Sequence, residues 1–117
     1  MTLSFAQLLQ LAQNAGFDSD DAPTAAAIAL AESSGRTAVI GDQQLGIQSV
    51  GLWQINLHAH PQYTVAMMQD PQQNANAAFA IYQGRGSFAD WTTYNTGAYK
   101  KYLPTCCGGC NDCTCAG

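Results

Sequence analysis

The stretch "AIALAESSGR", residues 27–36, sets a carboxylate at the end of the most apolar helical segment in the chain. Small and apolar residues run from Ala25 to Ala31, stop at Glu32, and give way to Ser33-Ser34-Gly35. A helix apolar on every side is a buried one. Pro23 suits its first turn and Asp21 is the best-placed N-cap acceptor, so a helix is predicted from about Pro23 to Ser33. A carboxyl at the C-terminal end of such a helix meets the negative end of the macrodipole, and apolar surroundings withhold water from it. Both effects favour the protonated form, which a general acid needs near neutral pH. The other reading is a surface Glu32 held by Arg36 four residues on; this segment alone supports the two equally.

The neighbouring segments fill in a mostly helical domain. Ser4 and Gln7 form a capping box for a first helix, whose Phe5, Leu8, Leu9 and Ala12 share a face and which Gly16 ends. From Gly35 to Val50 the chain turns polar and glycine-punctuated, and Gly41-Asp42 predicts a small hairpin or irregular loop. "GLWQINLHAHP" follows as a tight strand or turn. A short helix near Tyr63–Gln69 precedes a better defined one from about Pro71 to Gln83. The segment "SFADWTTYNTGAYKKYL" starts a last helical region at Ser87, with a break near Asn95-Thr96-Gly97. The fold class expected is mainly α with a small β element beside a cleft.

Composition narrows the partners. Only 10% of the 117 residues are charged, against a usual quarter, and the net charge is −4. No basic run exists to neutralise phosphates, which argues against nucleic acid. No apolar run is long enough to span a bilayer, and "MTLSFAQLLQLAQNAG" lacks the basic start of a signal peptide. All five cysteines fall after residue 105, which divides the chain into a domain, 1–104, and a cysteine-rich tail, 105–117.

Two further segments carry chemistry. "GLWQIN", residues 51–56, interleaves amides with an aromatic, as does "WTTYNTGAY" at 91–99. Amide side chains hydrogen-bond to hydroxyl and N-acetyl groups, and aromatic faces stack on sugar rings. Either segment alone reads better as core aromatics beside a turn than as a sugar site.

In order along the chain, "AESSG", "GLWQIN", "DPQQNANAAFAIY" and "TYNTGAY" resemble the soluble lytic transglycosylase and goose-type lysozyme family, over roughly Leu3 to Leu103. The resemblance implies a lysozyme-like α+β fold and a peptidoglycan substrate, cut at the β-1,4 bond between N-acetylmuramic acid and N-acetylglucosamine. It makes Glu32 the catalytic acid/base and Ser33 its polar neighbour on the site wall. Gln54 would contact the glycan, with Trp53 in place of the commoner Met or Phe, and Tyr94 would hydrogen-bond near Glu32 with Asn95 beside it.

Glycoside hydrolysis usually needs two carboxyl groups. Asp18, Asp20 and Asp21 belong to a helix-start loop, Asp70 and Asp90 read as helix-start residues, and Asp112 is in the tail. Only Asp42 is placed to face a cleft, and a turn role after Gly41 accounts for it better. The resembled lytic transglycosylases manage with one Glu. It protonates the leaving oxygen, the substrate's N-acetyl group stabilises the cationic centre, and the same Glu takes the proton of the 6-hydroxyl. That chemistry is favoured here, with Asp42 in reserve for hydrolysis.

His58 and His60 lack a third ligand nearby and read as loop residues. In the tail, Cys107, Cys110, Cys113 and Cys115, with Cys106 adjacent, are dense enough to hold zinc or an iron–sulfur cluster; disulfide pairing is the equal rival. The setting expected is a phage virion, in which the protein would attach to other virion proteins and open the host wall during genome delivery. A non-catalytic structural or glycan-binding virion component is the reading from another class.

Overall fold

The computed structural model describes residues 1–42 and 46–103. The tail cysteines and the expected boundary at residue 104 lie outside the described residues.

Helix α1, Phe5–Ala15, begins at the expected capping box: the Gln7 amide donates to Ser4 Oγ (3.3 Å), and the Ser4 amide donates to Gln7 Oε1 (2.8 Å). Helix α2, Ala22–Ser33, is the centre of the molecule, with Ala22 and every residue from Ala25 to Ala29 buried. Its run of alanines lets α1 and the C-terminal elements approach closely. Asp21 stands at its N-cap without a side-chain capping bond. Its carboxylate instead accepts a 2.6 Å hydrogen bond from the Tyr82 hydroxyl, while Asp18 accepts from the amides of Asp20 and Asp21.

The expected hairpin is a three-stranded antiparallel sheet in the order β1 (Ile40–Gly41), β2 (Ser49–Val50), β3 (Ile55–Asn56). Ile40 faces Val50, which also faces Ile55. Strands of two residues cannot hold themselves together, and the sheet is fixed from outside. The buried Asn74 side chain donates to the carbonyls of Val50 (2.8 Å) and Met68 (2.7 Å) and accepts from the Trp53 amide (2.9 Å). The Trp53 indole donates to Ala25 O on α2, and the Trp91 indole donates to Trp53 O, both at 2.9 Å. Gly51 permits this knot: its φ is 78°, and a Cβ there would overlap Met68 O and the Asn74 amide.

Helix α3 is a single turn, Val65–Met68, capped by Thr64. Helix α4, Pro71–Arg85, has Asp70 as its N-cap, accepting from the Gln73 amide at 2.9 Å. The last helical region starts later than expected. Ser87 Oγ accepts from the Ala89 amide in a turn, and α5 runs only from Thr92 to Thr96. Gly97 breaks it, and a 3-10 helix, Ala98–Tyr102, follows. Phe17, Phe79, Tyr82, Phe88 and Tyr94 join in edge and tilted ring contacts that pack α4 and the C-terminal segment together.

Candidate active site

The last turn of α2 delivers Glu32 to a cleft of about 380 Å³ between the sheet and the C-terminal segment. Its Oε2 accepts a 2.8 Å hydrogen bond from the Thr93 hydroxyl, 61 positions along the chain. Arg36, the alternative partner, is exposed and donates instead to the Ser33 carbonyl at 3.0 Å. Burial pushes the Glu32 carboxyl above its ordinary value, and the negative charge of Asp42 pushes the same way. The hydroxyl and backbone amide of Thr93 pull against this by favouring the charged form, and burial wins. Glu32 is thus a carboxyl whose hold on its proton is strengthened by burial, fixed in orientation by Thr93 and open to a cleft.

Asp42 lines the same cleft. It occupies the left-handed region at φ 63°, which Asp tolerates better than most residues, and Oδ2 accepts from Ser49 Oγ at 2.8 Å. Gln54, also at positive φ (48°), lines the cleft with its amide nitrogen donating to Gly51 O (3.0 Å) and Val39 O (3.3 Å). Those bonds hold the amide plane in place, and Gly41 opposite leaves room for Oε1, where a Cβ would collide. Asn56, His60, Asp90 and Thr92 complete the polar lining, with Ile55, Ile81 and Trp91 as apolar wall.

Four expectations change. Ser33 is 1% exposed, donates to Ala29 O and accepts from the Gly35 amide, so it is part of the helix end and is out of a ligand's reach. The hydrogen bond expected from Tyr94 comes from its neighbour Thr93; the Tyr94 ring stacks between Phe88 and Tyr99, 5.2 Å from the latter. Asn95 is exposed, and its amide donates to Ala89 O. Asp90, read as a helix-start residue, faces the cleft and pairs with Arg85 at 3.5 Å, while Trp91 takes the N-cap position.

Thr93 and Asp90 are the cleft residues that the sequence reading does not single out. Their one signal is their place in "ADWTTYN", among aromatics. Among the described residues, no group of three or more His, Cys, Asp or Glu is gathered as for a metal. The cysteines proposed as ligands lie outside the described residues.

A buried helix carrying a carboxyl to a polar cleft beside a small sheet is the arrangement expected of a lysozyme-like domain. The family model described as a lysozyme-like domain matches residues 9–93, and the chain belongs to that family. The matched span includes Glu32, Gln54 and Thr93 and ends just before Tyr94. Among curated proteins none matches the chain.

Proposed function

We propose that this protein cleaves peptidoglycan as a lytic transglycosylase, with Glu32 as both acid and base. The observation that carries the reading is the Glu32 carboxyl itself, brought to the cleft by the end of α2 and fixed there by Thr93, with burial raising its pKa. Protonated Glu32 donates to the glycosidic oxygen as the bond to the anomeric carbon of N-acetylmuramic acid breaks. The N-acetyl oxygen of the same sugar stabilises the cationic centre. Glu32, now a carboxylate, takes the proton of the 6-hydroxyl as that oxygen closes on the anomeric carbon. The product is a 1,6-anhydro end, and the acid is restored without water. Thr93 serves the second half, because its bonds favour the charged Glu32 that must act as base. Gln54, with its amide pre-oriented, would contact the acetamido groups.

A hydrolytic reading has one observation in its favour: Asp42 faces the same cleft and is steadied by Ser49. As a base it would activate a water on the far side of the sugar, the inverting arrangement.

Mass spectrometry of soluble products from purified sacculi decides between the two. Anhydro-muropeptides from the wild type and none from Glu32→Gln support the transglycosylase. Reducing ends lost in both Glu32→Gln and Asp42→Asn support the hydrolase, and no release from several wall types overturns both. The virion setting belongs to the same proposal. A net charge of −4 disfavours free adsorption to an anionic wall and suits an enzyme tethered to a particle. Immunodetection of the protein in purified particles tests it.

A further inference from the structure

Beside the Glu32 cleft lies a second cavity of about 350 Å³. His60, Ile81 and Asp90 line both, so the two are neighbours along one groove. Tyr63, Gly84 and Arg85 form the rest of the wall that matters here. Arg85 is the one permanently charged cation among the residues lining the two cavities. In a chain with eight acidic and four basic residues, it gives this groove its point of attraction for an anion.

Asp90 holds Arg85 weakly. The contact is a single one at 3.5 Å, and the two side chains are 56% and 41% exposed. Such a pair exchanges readily, and most of the guanidinium's N–H donors stay available for a bidentate carboxylate. Gly84 adds an independent observation. It lies inside α4, its φ is not positive, and a Cβ there would meet nothing within 4 Å. Glycine weakens a helix relative to alanine, and neither conformation nor crowding asks for it at this position. A larger side chain there would stand in the open space at the edge of the second cavity.

We infer that the second cavity takes the peptide stem borne by the glycan strand, with a stem carboxylate on Arg85 and a stem N–H on Asp90. The inference rests on the peptidoglycan reading above. Tyr63 and Ile81 give an apolar wall for the small side chains of a stem. Stems hang from alternate sugars only. Holding one beside the cleft therefore sets the strand's register, so that the bond on the muramic side lies across Glu32.

The test compares cleavage of stem-bearing strands with strands stripped by an amidase, for the wild type, Arg85→Gln and Gly84→Leu. Both positions are exposed, so both variants should fold. The wild type should prefer stem-bearing strands on the order of tenfold, the worth of one charge-assisted pair, and each substitution should bring that ratio towards one. A ratio near one in the wild type, or one that both substitutions leave unchanged, overturns the inference. If the wild type cleaves neither substrate, the glycan-cleavage reading falls and NMR titration with free stem peptide decides this one. Amide shifts at Arg85 and Asp90 that vanish in Gly84→Leu sustain the stem site, and no shift at millimolar peptide overturns it.

Discussion

The Thr93 hydroxyl donates to Glu32 Oε2 across 2.8 Å, joining the end of the buried helix α2 to the start of α5. This bond steadies the charged form of a carboxyl that burial drives towards its protonated form. Thr93→Val should therefore raise the Glu32 pKa further and move the alkaline limb of the activity profile to higher pH. It should also lower kcat on the order of tenfold by freeing the carboxyl. Thr93→Ser should restore both. A pH–rate series on the three proteins checks this, and an unmoved alkaline limb in Thr93→Val would remove Thr93 from the mechanism.

Glu32→Gln should abolish turnover, a loss on the order of 10³-fold, and yet stabilise the fold at neutral pH. The folded state binds the Glu32 proton more tightly than the unfolded chain does. Its stabilising contribution is therefore whole below the ordinary carboxyl value of 4.5 and is lost as pH rises through the raised folded value. An amide carries no such loss. Thermal melts should show a gain of about 2 °C near neutrality and none in acid, the figure being modest because Glu32 is partly exposed. A gain of the same size at both ends would contradict the burial argument.

Removing the negative charge in Asp42→Asn takes away one of the influences that raise Glu32, so the alkaline limb should shift to lower pH. Under the transglycosylase reading the rate falls only a few-fold and anhydro ends persist. A loss of about 100-fold or more would mark Asp42 as a base instead. Product analysis at the optimum pH of each protein separates these outcomes.

Asn74→Ala should be the most destabilising of these substitutions. It strips partners from the buried Trp53 amide and the Val50 and Met68 carbonyls at once. Unpartnered buried groups cost roughly 1–3 kcal/mol each, so urea unfolding should reveal a loss of about 4 kcal/mol. A loss below about 1 kcal/mol would mean that the knot around Gly51–Gln54 does not depend on Asn74.

The helices were legible in the sequence because their ends carry local chemistry: Ser4 with Gln7, Pro23, and Asp70 before Pro71. Glu32 was legible for the same reason, as a carboxylate where an apolar helix stops. Strands of two residues leave no period to detect, so "GLWQINLHAHP" reads as either strand or turn, and its pairing with the hairpin as a third strand is visible only in the fold. Asp21 looked like a cap because its position fits one, but the Tyr82 hydroxyl, 61 residues away, claims its carboxylate. Thr93 was hidden in the same way. Its meaning depends on a turn through Trp91 that rotates α5 so that a threonine, and not the adjacent tyrosine, meets the acid. Ser33 followed Glu32 in sequence, yet one residue's rotation about the helix took it into the core.

The bonds converging on Trp53 have a kinetic consequence. Its amide is held by α4, its indole by α2 and its carbonyl by Trp91, so no single element can move off and leave the turn exposed. Deuterium should then reach the Trp53 amide only when the whole domain unfolds. Its exchange rate becomes a direct reading of global stability, taken at one residue beside the cleft.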